Sequence, residues 1–318
     1  MPIPDLNTIQ LAAERIRPYI HKTPVLSSTG INEITGGNIF FKCENMQKAG
    51  AFKSRGACNA VFSLTEDQLK KGVGTHSSGN HAQALARAAS LRNTDAYIVM
   101  PETSPKVKVA AVKAYGGKIT FCKPTLQARE ETLHTIIRNT GALEIHPYND
   151  YRIIAGQATA AMEMLEVMGK ADIIMAPVGG GGLLSGTALS TKYLSPETVV
   201  IAAEPEMADD AYRSFHEGRL IPSENPATIA DGLLTSLGSL TYPIITEYVD
   251  DIVTVGEEGI IRAMRLIWER MKIVIEPSAA VPLAAILENK VEVKGKTVGI
   301  ILSGGNVDLD SLPWKNEG

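Results

Sequence analysis

Short apolar, often β-branched runs alternate with helical patterns along most of the chain. The runs predict strands over residues 38–43, 73–76, 96–100, 119–122, 173–176, 199–203 and 298–302. Between them, apolar residues recur three and four positions apart. That spacing predicts helices over 8–16, 81–91, 106–114, 126–139, 157–168, 183–192, 257–271 and 279–288. Strand and helix in regular succession are the mark of βαβ units, so the expected class is α/β with mostly parallel sheets. Residues 71–149 hold a strand–helix series of their own, which predicts a smaller domain inserted into a larger one built from 1–70 and 150–318. A cleft between two such bodies is the natural ligand site.

Composition narrows the partners. The 318 residues are 44% hydrophobic and 21% charged, with a net charge of −4, so no basic field draws the chain to nucleic acid or anionic lipid. A small-molecule partner is expected instead. The three cysteines, Cys43, Cys58 and Cys122, form no CxxC pair, which argues against a disulfide framework or structural zinc and for a reducing, cytoplasmic setting. Met1-Pro2-Ile3-Pro4-Asp5-Leu6 has no basic region followed by an apolar run, and no stretch approaches the ~18 apolar residues of a membrane span. No membrane partner is expected.

Three segments carry chemistry. Lys53 lies behind Phe52 and among small residues, Ala49-Gly50-Ala51 before it and Ser54 after. An apolar, partly buried site disfavours the ammonium, and a lysine that loses its proton can form a Schiff base with an aldehyde. Gly179-Gly180-Gly181-Gly182 follows an apolar strand and precedes a helix, so its N–H groups can converge on a phosphate. A dinucleotide fingerprint is missed, because Ser185 stands where the third glycine belongs, and a Walker A motif lacks its Gly-Lys-Ser/Thr. Ser77-Ser78-Gly79-Asn80-His81 is a polar strand-to-helix turn, readable either as an N-cap or as a carboxylate site. Ser303-Gly304-Gly305-Asn306 follows the last strand and places a hydroxyl at the carboxyl end of a sheet, where ligands bind in open α/β folds.

A Schiff-base lysine, a wrap for one phosphate and a hydroxyl at a strand end are together what pyridoxal 5'-phosphate requires. In this order and spacing, Lys53-Ser54-Arg55-Gly56, Ser77 to His81, Gly179 to Gly182 and Ser303 to Asn306 resemble the serine/threonine dehydratase and serine racemase family. The likeness runs from Thr23-Pro24-Val25 through Ile154-Ala155-Gly156-Gln157 to Trp314. Residues 269–277 resemble serine racemases, while Pro147-Tyr148-Asn149-Asp150 and the segment 308–314 are similar to bacterial 3-hydroxyaspartate dehydratases. The resemblance implies the tryptophan-synthase-β-like fold, fold type II of pyridoxal phosphate enzymes, with the cofactor in the cleft. It also implies a homodimer acting on a small amino acid.

Residue by residue, the resemblance implies that Lys53 holds the cofactor and serves as base on one face of the substrate Cα, with Ser78 on the other. Asn80 would bond the ring hydroxyl, Phe52 would pack on the ring, and Gly179, Gly180, Gly181 and Gly182 would hold the phosphate, with Leu183 and Gly232 among the cofactor contacts. Ser303 would face the pyridine nitrogen. A neutral serine does not keep that nitrogen protonated, so the ring is a weaker electron sink, which favours β-elimination or rapid reprotonation over transamination. Ser77, Ser78, Asn80, His81, Arg129 and Ser236 match substrate-side positions. Arg129 reads equally as a surface ion pair, and His81 as a core histidine with a satisfied bond. If Arg129 reaches the cleft, its guanidinium can bind a second carboxylate and favour hydroxyaspartate. Glu204, the carbonyl of Ala208 and Asp210 match a loop for Mg²⁺, Mn²⁺ or Ca²⁺, against the alternative of a solvated acidic helix start. The resulting expectation is a lyase for serine, threonine or 3-hydroxyaspartate, with serine racemisation as the alternative. A β-replacement enzyme of the cysteine synthase kind and a non-catalytic nucleotide-binding module are the more distant readings.

Overall fold

The computed structural model describes residues 2–77, 79–104 and 106–314. Among these residues ten strands form two sheets: β1 (Val25–Ser27), β2 (Asn38–Cys43), β3 (Val73–His76), β4 (Ala96–Pro101), β5 (Lys118–Cys122), β6 (Leu143–Glu144), β7 (Ile173–Pro177), β8 (Val199–Pro205), β9 (Asp251–Val255) and β10 (Thr297–Leu302). The larger sheet has the order β1-β2-β10-β7-β8-β9, and only β1 runs antiparallel to its neighbour. The smaller sheet, β5-β4-β3-β6, is parallel throughout. The fold is therefore α/β with mostly parallel sheets.

Parallel strands covered on both faces must be apolar on both, which is why they read as continuous apolar runs rather than alternating ones. The pleat then sorts neighbouring residues. Ile173, Met175, Val298, Ile300 and Leu302 enter one core of the large sheet, and Ile174, Ala176 and Ile301 enter the other. In the small sheet, Ala96, Ile98 and Met100 face a core that also takes Ile16, Ala57, Cys58, Ala60 and Val61, while Val99 points to the opposite side.

The seven expected strands and eight expected helices all form, with ends displaced by a few residues. The largest extension is the helix Tyr151–Met168, which begins well before residue 157 because Asp150 caps it, its side chain accepting from the Arg152 N–H. Strands β1, β6 and β9 and the helices Thr29–Thr35, Lys53–Phe62, Glu66–Leu69, Asp210–Glu217 and Thr241–Tyr248 are additional to the expected set. Within this frame β7 and β10 are neighbours, so the glycine turn after Pro177 and the serine after Leu302 leave the same carboxyl edge side by side. No helix among the described residues is long and apolar enough to cross a membrane.

Candidate active site

Lys53 is the first residue of the helix Lys53–Phe62. The turn before it is pinned by the chain that follows β10: the Phe52 N–H donates to the Ser303 carbonyl at 3.0 Å, and the Gly305 N–H donates to the Gly50 carbonyl at 2.9 Å. Two segments far apart in sequence thereby hold the lysine beside the carboxyl edge of the large sheet. Its amine donates to the Pro147 carbonyl at 3.0 Å and stands 4.9 Å from the centre of the Phe52 ring. Burial pulls the lysine pKa down to about 8, with Glu276 pulling it the other way. At pH 7 roughly one amine in ten is then neutral, far more than for an ordinary lysine.

On the small-sheet side, the helix Asn80–Leu91 begins after β3. Asn80 donates to both oxygens of Glu276, at 2.9 and 3.0 Å, and its carbonyl oxygen accepts from Asn306 at 2.9 Å. Asn306 also donates to the Ala49 carbonyl at 2.8 Å. This run of bonds joins the polar turn of the small sheet, the Ser303 segment and the Lys53 turn. Glu276 precedes the helix Pro277–Leu287. Burial raises its pKa to about 7, against the stabilising bond from Asn80.

Ser303 is 3% exposed, and its hydroxyl has no hydrogen-bond partner among the described residues. A buried hydroxyl left unbonded costs stability, so it marks a place where a ligand acceptor or donor belongs. The glycine turn offers the complementary feature. Gly181, with φ +84°, adopts the left-handed conformation that lets the chain turn from β7 into the helix Gly182–Leu194 with its first N–H groups free. The Gly180 carbonyl is held from behind by the Thr241 hydroxyl at 2.9 Å. Gly179 lies against Gly232 and Leu233, and the Gly232 N–H donates to the Ser278 hydroxyl at 3.1 Å. Leu183, in the first turn of the helix, is buried in the core behind the turn.

A second set of groups belongs to the small-sheet side. His81 donates through Nε2 to the Ile145 carbonyl at 3.0 Å, so its buried Nδ1 is left as a lone acceptor. Burial and the nearby Lys53 drive its pKa down to about 3, and burial together with His76 takes that of His146 down to about 4. His76 is lowered as well, by burial and then by Arg129. These imidazoles are neutral at physiological pH. Arg129 forms no ion pair with a described carboxylate, its buried Nε has no partner among the described residues, and it lies near His76 and Tyr148. The Ser77 hydroxyl accepts from the Gly79 N–H at 3.4 Å, and that of Ser236 accepts from the Ser223 N–H at 2.8 Å. Ser78 lies outside the described residues.

The acidic loop stands apart. Glu204, at the end of β8, accepts from the N–H groups of Ala211 and Tyr212 at 3.2 and 2.9 Å, and Asp210 accepts from the Leu237 N–H at 3.1 Å. The other Asp210 oxygen is buried without a partner among the described residues. Burial, then Asp210, pushes the Glu204 pKa well up, and burial raises that of Asp210 to about 6. No group of three or more His, Cys, Asp or Glu side chains suited to a metal occurs among the described residues. A cation here would therefore take these two carboxylates, the carbonyl of buried Ala208 and water.

Glu276, His146, Tyr148 and Asn306 complete the site, and sequence reasoning singles out none of them individually. Asn306 and Tyr148 lie inside motifs that carry the family resemblance. Glu276 lies inside the segment 269–277 that resembles serine racemases, and by itself carries only the weaker signal of an acid before Pro277 at a helix start.

Residues 16–304 match the family described as pyridoxal-phosphate dependent enzyme. The chain is 52% identical to the beta-hydroxyaspartate dehydratase of Paracoccus denitrificans (strain Pd 1222) over 99% of its own length and 100% of that protein's. It is 53% identical to the serine racemase of Dictyostelium discoideum, with 96% of each covered. The crystal structure of a T.th. threonine deaminase superposes with a TM-score of 0.92 at 44% identity, covering 96% of this chain and 99% of that one. With its enclosed lysine, glycine turn and unbonded strand-end serine, the chain belongs to the family of pyridoxal-phosphate dependent enzymes.

Proposed function

We propose that the chain is a lyase that removes ammonia from small β-hydroxy amino acids, 3-hydroxyaspartate, serine or threonine, to leave a keto acid. The observation that carries the reading is the enclosed Lys53 amine held by the same backbone pairing that holds the buried, unbonded Ser303 hydroxyl. The residues fit the cofactor: Ser303 has a hydroxyl to offer the ring nitrogen, and the N–H groups of Gly179 to Gly182 can wrap a phosphate at a helix N-terminus. When bound, pyridoxal phosphate supplies an aldehyde for the lysine and a ring that withdraws electrons from the substrate Cα.

The protein's own groups then divide the work. Lys53, with its pKa near 8, can take a proton from Cα and hand it on near neutral pH. The Pro147 carbonyl holds the amine when it is charged. Asn80, locked by Glu276 and Asn306, presents a fixed amide to the cleft. Arg129 and the neutral His76 and His146 give the small-sheet side donors suited to a second carboxylate, which favours 3-hydroxyaspartate within the substrate class. Serine racemisation is the second reading, supported by the serine racemase among the relatives, and gives Ser78 the role of base on the opposite face. Glu204, Ala208 and Asp210 form the proposed cation site, supported by the unpartnered Asp210 oxygen and by two acids whose pKa values burial raises, that of Glu204 further by Asp210.

The proposal includes a homodimer in the cytoplasm, the latter supported by three free buried cysteines. It includes residues 71–149 acting as a unit against 1–70 and 150–318. A panel of serine, threonine and 3-hydroxyaspartate stereoisomers, with keto-acid and chiral amino-acid readouts and with or without Mg²⁺, tests the reading. Keto acid with equal ammonia supports it. Enantiomer exchange without ammonia would establish the racemase instead.

A further inference from the structure

We propose that Tyr148 is a positioning residue: its ring keys the crossover segment 146–150 onto the glycine turn and so aligns the phosphate wrap with the seat of the Lys53 amine. This rests on the pyridoxal phosphate reading above. The segment leaves β6 and enters the helix Tyr151–Met168, and each residue in it is engaged. His146 Nδ1 accepts from the N–H groups of Tyr148 and Asn149, at 3.3 and 2.9 Å. The Pro147 carbonyl accepts from Lys53 at 3.0 Å. Asn149 accepts from the Leu240 N–H at 2.7 Å and donates to the Ser239 hydroxyl at 3.2 Å.

Tyr148 meets the His146 ring edge to face, with centroids 4.6 Å apart. Its ring occupies the space a side chain on Gly180 would need: a Cβ there would fall 2.3 to 2.4 Å from three ring atoms. A Cβ on Gly182 would stand 2.9 Å from the Tyr148 Cβ. Gly180 is thus clamped between the tyrosine ring on one side and the Thr241 hydroxyl on its carbonyl. Pro147 has a fixed φ and no N–H, so the direction of its carbonyl is set by its two neighbours, and those neighbours are locked to each other. Through this short path the ring reaches both halves of the cofactor's seat without touching the reacting atoms. A displacement of about 1 Å at such a seat is enough to change rates by on the order of 100-fold.

The test uses the full-length chain with Tyr148→Leu, which removes the ring, and Tyr148→Phe, which keeps it. Three quantities are read: the dissociation constant for pyridoxal phosphate, the rate at which the cofactor becomes reducible onto Lys53 by borohydride, and the unfolding temperature of cofactor-stripped protein. Tyr148→Leu is expected to weaken binding and slow attachment by about 10-fold or more, with the stripped protein unfolding within a few degrees of the parent. Tyr148→Phe should hold both within about 3-fold. Gly180→Ala should cost less in the Tyr148→Leu background than alone, because the clashing ring is gone. Parental binding in Tyr148→Leu, additive losses in the double variant, or losses matched by an equal fall in stripped-protein stability would each overturn the proposal. A parent chain that takes up no pyridoxal phosphate overturns the functional reading itself, which the Tyr148 results alone do not.

Discussion

Lys53 and Arg55 stand two residues apart on one helix and are treated in opposite ways. Arg55 is fully buried and makes five side-chain bonds, two to Glu44, two to Glu163 and one to Thr159, between 2.7 and 3.0 Å. Lys42 adds a second cation against Glu163 at 2.6 Å. Burial alone would lower the Arg55 pKa, yet Glu44 and Glu163 hold it above the ordinary value. Among the described residues Lys53 has one protein acceptor, a neutral carbonyl, and its pKa falls. A buried cation whose donors are all used is a fixed part of the framework. One left short of partners retains chemistry to perform.

The contrast predicts two kinds of damage. Lys53→Ala should lower turnover by at least ~10³-fold and remove the absorbance of bound cofactor, while stripped protein unfolds no more easily than the parent. If that variant keeps its activity, the assignment of Lys53 fails. Arg55→Met should cost about 3–5 kcal/mol in a urea unfolding experiment, because Glu44 and Glu163 would remain buried without their cation. A loss below ~1 kcal/mol would mean that Arg55 is not the framework cation described.

A pH series sharpens the same comparison. The folded pKa of Lys53 lies near 8 and the unfolded one near 10.5, so between those values the unfolded chain binds more protons. Stability of stripped protein should therefore rise with pH through that window, by up to ~3 kcal/mol from this group, and the rise should be missing in Lys53→Met. Divalent cation at about 100-fold its dissociation constant should stabilise the parent by ~2.7 kcal/mol, and Asp210→Ala should abolish the effect in a thermal scan. At the small end, Lys22→Ala breaks an exposed pair with Glu166, 67% and 51% exposed, and should change stability by only about 0–1 kcal/mol. A large loss there would blur the line between framework and surface charges.

What the sequence makes legible follows from how local each signal is. The glycine turn, the Lys53 motif and the Ser303 turn are each complete within a few residues, and each lands at the carboxyl edge of the large sheet. The helix Lys53–Phe62 leaves no periodic trace, because residues 54–61 are buried on every side and no polar face alternates with an apolar one. Strand β6 has two residues and β9 begins with an acid, so neither makes a clear apolar run. Glu276 and the Pro147 carbonyl are harder still. Their roles arise from contacts spanning 196 and 94 residues, with Asn80 and Lys53 respectively, and no window along the chain contains both partners.

The position of β10 has a consequence for how the protein is made. This strand is the last in sequence order among the described residues, yet it lies between β2 and β7 in the middle of the large sheet. Until residues 297–302 have been synthesised and inserted, β2 and β7 each present an unpaired edge, and the turn before Lys53 lacks the strand end that pins it. A nascent chain that has not yet added residue 302 is therefore adhesive at two strand edges and has no pin for the turn that carries Lys53.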